Sequence, residues 1–342
     1  MKNFYLSYEE EKENLLKEYE STESFLEVNE VLNKYGWHFI NPYMQVFKIT
    51  SLMKEEKNGS LNQEKVNSFF INEFYDLSLT LSFVDGYFKR SQFISPYNYF
   101  IESSLILCFQ KDYAGAINLI IPVIEGSISS YIKEYRGIDL NEGNRYDKIK
   151  RAINQIKNDI LLNIKKEYEI SLHNKQQIKQ LLCYHRKYYD NWVCIIDAFF
   201  KKSLFAHTSD NPSNNTLNRH SILHLLEIKN YNSLENYIKL FNSLKFLVWL
   251  FLQLEKKSIL NNIDDETFMN KRVLYEELIK RSDEITPIKH ALLKVYNLNN
   301  KSDFSLISNY TPIDKELSIG GKISLYLQRH LLMLSSKSEL KK

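Results

Sequence analysis

Apolar residues recur three or four positions apart through most of the chain, which is the spacing of one face of an α-helix. The first such run covers about residues 8–35, and Gly36 follows it as a natural helix end. A break near Ser171 divides a long run over 145–202 into two helices. The pattern predicts further helices over about 61–87, 96–109, 113–135, 219–228, 233–257, 264–282, 286–297 and 320–335.

Two serines near the N-terminus have the spacing of a capping box, in which a glutamate follows three residues later. Ser7 precedes Glu10 in this way, and Ser24 precedes Glu27. Each pair therefore predicts a helix start. Three further starts are predicted from single N-cap residues, Ser95, which precedes Pro96, Asp112 and Ser233.

The composition favours a helical soluble protein. Glycine (9) and proline (6) are scarce in 342 residues, whereas strands and hairpins need such residues at their turns. The longest apolar run, Phe246–Leu252, is far shorter than the roughly 20 residues that span a bilayer. The acidic N-terminus is unlike a signal peptide. We therefore predict an all-α, cytoplasmic protein that uses no membrane.

The three cysteines have no regular spacing that would predict a disulfide framework or a zinc motif. Each stands among apolar residues, which predicts three buried thiols. They are Cys108, Cys183 and Cys194.

Charge is distributed unevenly although the net charge is only +3. Residues 1–30 contain three lysines and nine glutamates, a balance of −6. Residues 145–202 contain thirteen Lys/Arg and six Asp/Glu, a balance of +7. A basic segment of this kind suits a polyanionic ligand. The alternative is an ordinary solvated helix surface.

The chemistry-bearing residues concentrate in Leu217–His224, directly after a polar loop. This stretch contains an arginine and two of the eight histidines of the chain. If Thr216 or Asn218 caps the helix, Arg219 lies in its first turn, where unpaired backbone donors favour an anion. Arginine adds a permanently charged clamp, and His224 adds a group that exchanges a proton near neutral pH. Such a pair is sufficient for metal-independent cleavage of RNA.

Two other interpretations of the stretch stay open. His220 and His224 are four residues apart and could bind a metal, with His207 or Glu125 as a third ligand. A zincin, however, has glutamate where this chain has Ser221. The histidines could also serve only to satisfy backbone groups at a loop-to-helix junction.

Glu125 lies in the predicted helix 113–135 among aliphatic residues. A carboxylate in such surroundings is usually exposed at an edge or held by a cation. We expect Glu125 to hold Arg219 or His224 from a neighbouring helix.

The six residues Arg219–His224 resemble the motif of the HEPN superfamily: arginine, then Asn, Asp or His, three further residues, and histidine. The resemblance covers roughly residues 95–257. It implies a HEPN-like helical bundle there, with additional helical regions at 1–94 and 258–342. Many HEPN proteins are metal-independent ribonucleases of toxin, abortive-infection and CRISPR-associated systems. The chain departs from the pattern at Leu225, where glycine is expected, and this could alter the approach of a partner protomer.

Helix geometry gives a reason for dimerisation. Arg219 and His224 are about 140° apart around an ideal helix and about 7.5 Å apart along it, so one helix cannot easily direct both at one atom. Two copies related by a two-fold axis could do so, and HEPN ribonucleases are similar in this respect.

The resulting prediction is an endoribonuclease without a cofactor or metal. Arg219 and His224 are the predicted catalytic residues, supported by His220, Asn218 and Glu125. The expected products are a 2′,3′-cyclic phosphate and a 5′-hydroxyl. The expected partners are RNA, a second copy of the chain, and an antitoxin or regulatory protein. The alternative function is a non-catalytic helical module that binds RNA or protein.

Overall fold

The computed structural model shows an all-α protein, as predicted. Every regular element is helical in the residues that it describes. The described residues up to Ser282 belong to one compact unit, and the helical backbone of 283–295 belongs to a second. The boundaries predicted at residues 94 and 257 mark a sequence resemblance and stay predictions. The described residues are 7–40, 42–43, 46–136, 145–172, 174–205, 217–223, 231–257 and 265–295.

The described residues form eleven α-helices. Short π-helical or 3-10 segments adjoin three of them. A π-type segment, Ser82–Phe88, extends α4, and a second one, Phe200–Leu204, extends α8. A 3-10 turn, Ser95–Tyr97, leads into α5. The helices are α1 Tyr8–Lys34, α2 Val46–Lys57, α3 Gln63–Tyr75, α4 Leu77–Leu81, α5 Asn98–Phe109, α6 Tyr113–Arg136, α7 Arg145–Ser171, α8 Lys175–Phe199, α9 Arg219–Leu223, α10 Leu234–Glu255 and α11 Asp265–Val295.

Three of the five predicted helix starts are confirmed, whereas Ser95 lies inside a 3-10 turn and α5 begins only at Asn98. Ser7 forms the capping box with Glu10, Asp112 accepts a hydrogen bond from the Gly115 amide, and Ser233 caps α10. The start predicted at Ser24 is wrong, because α1 continues through it. Phe25 and other apolar residues on both sides of this position are buried along one continuous face, so packing keeps the helix intact.

Two predicted helix boundaries also differ from the structure. The helix predicted over 61–87 is interrupted at Asp76, whose side chain accepts a hydrogen bond from the Leu79 amide and starts α4. Conversely, one helix, α11, covers the two segments predicted over about 264–282 and 286–297. The helix predicted over 320–335 lies outside the described residues.

The core is built around α10. Seventeen of its 22 residues are buried, and it packs against α3, α6 and α7. Aromatic rings fill much of the surrounding space: Trp192 and Trp249 have centroids 5.7 Å apart, and Trp37 stacks on Phe70 at 4.2 Å. The α1–α8 pair closes over this core.

Two described helices are long and apolar enough to cross a membrane by length and composition, at Tyr113–Glu134 and Leu234–Glu255. Their apolar windows are 61% and 89% buried inside the protein. This is the burial expected of core helices, so they are weak evidence for a membrane segment.

The prediction of three buried thiols is wrong for two of them. Cys108 is buried, whereas Cys183 and Cys194 are exposed on α8. Apolar neighbours in the sequence predicted burial, but successive residues of a helix point in different directions, so a cysteine between core positions can face solvent.

Gly126 of α6 leaves room for the side chain of Tyr97, which belongs to the 3-10 turn before α5. A Cβ atom there would lie 2.7 Å from the Tyr97 hydroxyl, and this hydroxyl also pairs with the Ser130 hydroxyl at 3.0 Å. The other side of α6 packs against α7 and α9. Glu125 lies on this helix, next to Gly126.

Candidate functional site

Glu125 is a buried carboxylate on an otherwise aliphatic stretch of α6. Ile121, Ile124 and Ile128 around it are at most 1% exposed, and its own side chain is 8% exposed. A carboxylate in such a position needs positively charged partners or hydrogen-bond donors, because desolvation disfavours its charge. The structure provides two cations.

The first cation is Arg219, the first residue of α9. Leu217 and Ile222 on either side of it are buried, which fixes the short helix against α6. Arg219 Nε lies 2.7 Å from Glu125 Oε1, and Arg219 Nη2 donates to Glu125 Oε2 at 3.4 Å. The structure thus brings together Glu125 and Arg219, two residues that the sequence placed 94 positions apart.

The second cation, Arg145, was not predicted. It is the first residue of α7, and its Nη2 donates to Glu125 Oε2 at 2.6 Å. Its side chain is 48% exposed, compared with 25% for Arg219. The only signal in the sequence was its place at the beginning of the basic segment 145–202. We call Glu125, Arg145 and Arg219 the Glu125 cluster.

The Glu125 cluster has one negative and two positive groups, a formal charge of +1. The Nε–H of Arg219 is not directed at Oε1 despite the short distance, so among the described residues these two buried atoms are paired by charge and not by a hydrogen bond. A guanidinium has five N–H donors, and the carboxylate accepts from only one N–H of each arginine. Donors therefore remain for an incoming anion on the exposed side.

Asn218 stands directly before α9, as predicted for a residue at the helix start. It is 1% exposed, and its carbonyl accepts the Ile222 amide at 2.9 Å. His220 contributes backbone to α9. Its side chain lies outside the described residues, together with His224, His207, Thr216 and Leu225. The relation of His224 to Arg219 therefore stays a prediction.

The metal alternative required Glu125 or His207 beside the two histidines. Glu125 is paired with two guanidinium groups, which would repel a metal cation at the same carboxylate. Within the described ranges, no group of three or more His, Cys, Asp or Glu side chains is placed to hold a metal ion.

No protein-family model, curated protein or solved structure matches the chain. Membership of the HEPN superfamily therefore stays a prediction from the motif Arg219–His224.

Proposed function

We propose that the protein is a metal-independent endoribonuclease of the HEPN type. The observation that supports this most is the Glu125 cluster, in which the arginine of the motif is held beside a second arginine, with a net positive charge. Paired guanidinium groups at a partly exposed position suit a phosphodiester, which carries one negative charge before reaction and gains a second as the 2′-oxygen adds to phosphorus.

In this proposal Glu125 is a positioning residue. Its carboxylate holds Arg219 against α6 and so directs the remaining N–H groups toward solvent. Arg219 then binds the scissile phosphate and stabilises the charge that develops on it. Arg145, which is more exposed, provides a second contact to the same phosphate or to the next one along the RNA.

His224 exchanges the proton. The ribose 2′-hydroxyl loses its proton to one imidazole and attacks the adjacent phosphorus, and the bond from phosphorus to the 5′-oxygen breaks. That oxygen takes a proton from a second imidazole, which a second copy of the chain supplies across a two-fold axis. The products are a 2′,3′-cyclic phosphate and a 5′-hydroxyl, and no oxidant or metal takes part.

The proposed setting is a cytoplasmic homodimer that acts on RNA, in antiviral defence or as a toxin. An antitoxin or other regulatory protein is a further proposed partner, because an uncontrolled ribonuclease would damage its own cell.

The test is incubation of the full chain with RNA in EDTA, followed by chemical analysis of the new ends. We expect cleavage with 2′,3′-cyclic phosphate ends, loss of cleavage in Arg219→Ala and His224→Ala, and no loss in Arg272→Ala. Arg272 is a matched control because it is an arginine in a surface ion pair with Glu276. Cleavage that stops in EDTA and returns with zinc or manganese would support the metal alternative instead.

The non-catalytic alternative is favoured by one observation: Glu125 joins α6, α7 and α9 by ion pairs and could serve only to hold them together. In that case the chain binds RNA or protein without producing new ends, and Arg219→Ala lowers the melting temperature without a specific effect on RNA. The same samples therefore decide between the two functions.

A further inference from the structure

The α7–α8 hairpin contains a basic cleft that is separate from the Glu125 cluster. Its volume is about 790 Å³. Four exposed cationic side chains line it, together with one carboxylate, that of Glu169. The formal charge of the lining is therefore four minus one, or +3. The cations are Lys165, Lys175, Lys179 and Arg186.

Most of this charge is uncompensated. Lys165 lies 3.5 Å from Glu169 on the same helix. In the part of the chain that the structure describes, Lys175, Lys179 and Arg186 have no ion-pair partner. Lys175 is also the first residue of α8, so the positive end of that helix dipole adds to the same field. Like charges gathered in this way repel one another, and a bound polyanion removes that repulsion.

The chemistry of the lining suits the phosphate groups of a polyanion. Three of the four cations are lysines, which bind phosphate oxygens as compact point charges, and Arg186 adds a guanidinium fork that also matches phosphate. The apolar part of the lining consists of Leu172, Ile178 and Leu182. None of the lining residues is aromatic, so the cleft offers no platform for base stacking and suits the backbone of a nucleic acid more than its bases.

The position of the cleft favours a long polyanion. Arg145 of the Glu125 cluster begins α7, and Lys165 of the cleft lies 20 residues later on the same helix, about 30 Å along its axis. A small anion could occupy only one of the two sites. An extended phosphodiester chain could contact both.

We propose that the α7–α8 cleft binds the phosphate backbone of RNA without sequence preference and anchors the substrate away from the cleaved bond. The identity of the polyanion as RNA rests on the proposed function. The anion-binding character of the cleft rests on its own lining residues.

The first experiment measures the affinity of the full chain for a fluorescent 2′-O-methyl oligouridine of about 20 residues, long enough for more than one contact site. The 2′-O-methyl group removes the attacking hydroxyl, so binding is separated from cleavage. The variant Lys175→Gln/Lys179→Gln is compared with Lys54→Gln/Lys57→Gln, which removes the same charge from exposed positions on α2.

We expect the cleft variant to bind about tenfold more weakly near physiological salt and to lower the slope of log K against log salt by about 1.4, because each lost contact to a single strand accounts for about 0.7. The α2 variant should change neither quantity appreciably. Equal effects of the two variants, or no binding of the oligonucleotide at all, would overturn the proposal.

A second experiment locates the ligand through Cys183, which lines the cleft and is exposed. In a Cys194→Ser chain, the oligonucleotide should slow labelling of Cys183 by a maleimide, and the cleft variant should lose this protection. Polyglutamate or phosphatidylserine vesicles that protect Cys183 better than the oligonucleotide would assign the cleft to an acidic protein or a membrane and reject RNA.

Cleavage of ordinary RNA by the same proteins separates the two proposals. If no protein cleaves RNA but binding still depends on Lys175 and Lys179, the ribonuclease proposal fails and the cleft proposal holds. If cleavage occurs while binding ignores the cleft variant, the reverse applies.

Discussion

The chain places basic side chains beside its core in two different ways. In the Glu125 cluster, a buried carboxylate is paired with two guanidinium groups. On α10, Lys239 and Lys245 instead direct their amines at aromatic rings, with Lys239 Nζ 5.1 Å from the Trp37 centroid and Lys245 Nζ 4.5 Å from that of Phe83. Neither lysine has an ion-pair partner among the described residues.

This difference distinguishes the lysines of α10, which pack in the core, from the arginines of the Glu125 cluster, which can bind an anion. Burial lowers the pKa of both lysines to about 8, so these amines lose their charge at mildly alkaline pH. A guanidinium keeps its charge under all physiological conditions. The Glu125 cluster is therefore the place to expect permanent anion recognition, and α10 is not, although both regions contain basic residues beside the core.

The largest expected effect concerns Arg219 of the Glu125 cluster, compared with Lys245 of α10. Arg219→Ala should lower RNA cleavage by on the order of 10²-fold or more, because it removes the charge that stabilises the reacting phosphate. Lys245→Met should leave the rate unchanged, and its stability should be equal or higher, because an apolar side chain of similar length replaces a desolvated amine. Initial rates and thermal melts check both. A rate loss at Lys245 as large as that at Arg219 would contradict the assignment.

The second effect concerns stability. Glu125→Leu leaves two neighbouring arginines without their shared counter-charge and should lower the free energy of unfolding by about 2 kcal/mol, less than for a fully buried pair because Arg145 is half exposed. Combining it with Arg219→Leu should recover part of the loss. Glu13→Gln, which breaks an exposed pair with Lys17, should cause a much smaller loss, because solvent screens exposed ion pairs. Urea unfolding of these variants and of Arg219→Leu alone measures the losses, and additive losses in the double variant would argue against the pairing.

The third effect is a pH dependence of the stability, which the two lysines of α10 should cause. Burial lowers the pKa of Lys239 and Lys245 to about 8 in the folded chain, against roughly 10.4 when unfolded. Between these two pKa values the unfolded chain binds more protons than the folded chain, so the free energy of unfolding rises with pH. Below the folded pKa, the free-energy cost of placing the charged amines in the core does not change with pH. The free energy of unfolding should increase by roughly 1 kcal/mol per lysine between about pH 7 and 9.

Urea titrations of the wild type, Lys245→Met and the double variant Lys239→Met/Lys245→Met test this dependence. The single variant should remove about half of the rise and the double variant most of it. Glu73, Asp76 and Lys48 also act on Lys245, but burial is the largest influence. An unchanged rise in the double variant would show that other groups cause it.

The smallest expected effect separates the two neighbouring histidines of the motif. His220→Asn should reduce cleavage far less than the roughly 10²-fold expected for loss of a proton-exchanging group, because asparagine can still donate and accept hydrogen bonds. His224→Ala should show that full loss. Equal losses at both histidines, with Arg219→Ala nearly active, would instead favour the metal alternative.

The sequence predicted those features that depend on a few adjacent residues. The caps at Ser7, Asp112 and Ser233 are local and were found correctly. Ser24 has the same signal, but the continuous buried face of α1 overrides it. At Asp76 the apolar spacing continued through a real break, so periodicity alone could not reveal it.

The same distinction applies to the candidate site. A carboxylate at Glu125 among aliphatic residues required a cation, and the nearby motif offered Arg219. Arg145 could not be chosen from thirteen basic residues of its segment, because only the packing of α7 on α6 places it there. The basic segment likewise predicted a polyanion, but the hairpin decides which of its charges face the α7–α8 cleft.

The three tryptophans of the chain all lie in the buried core, at Trp37, Trp192 and Trp249. Neither the Glu125 cluster nor the α7–α8 cleft includes one. Intrinsic fluorescence excited through these indoles therefore reports on the packing around α10 and not on occupancy of either site. Because Trp192 and Trp249 are buried with their rings 5.7 Å apart, separation of α8 from α10 would expose both indoles to water and should shift their emission to longer wavelengths.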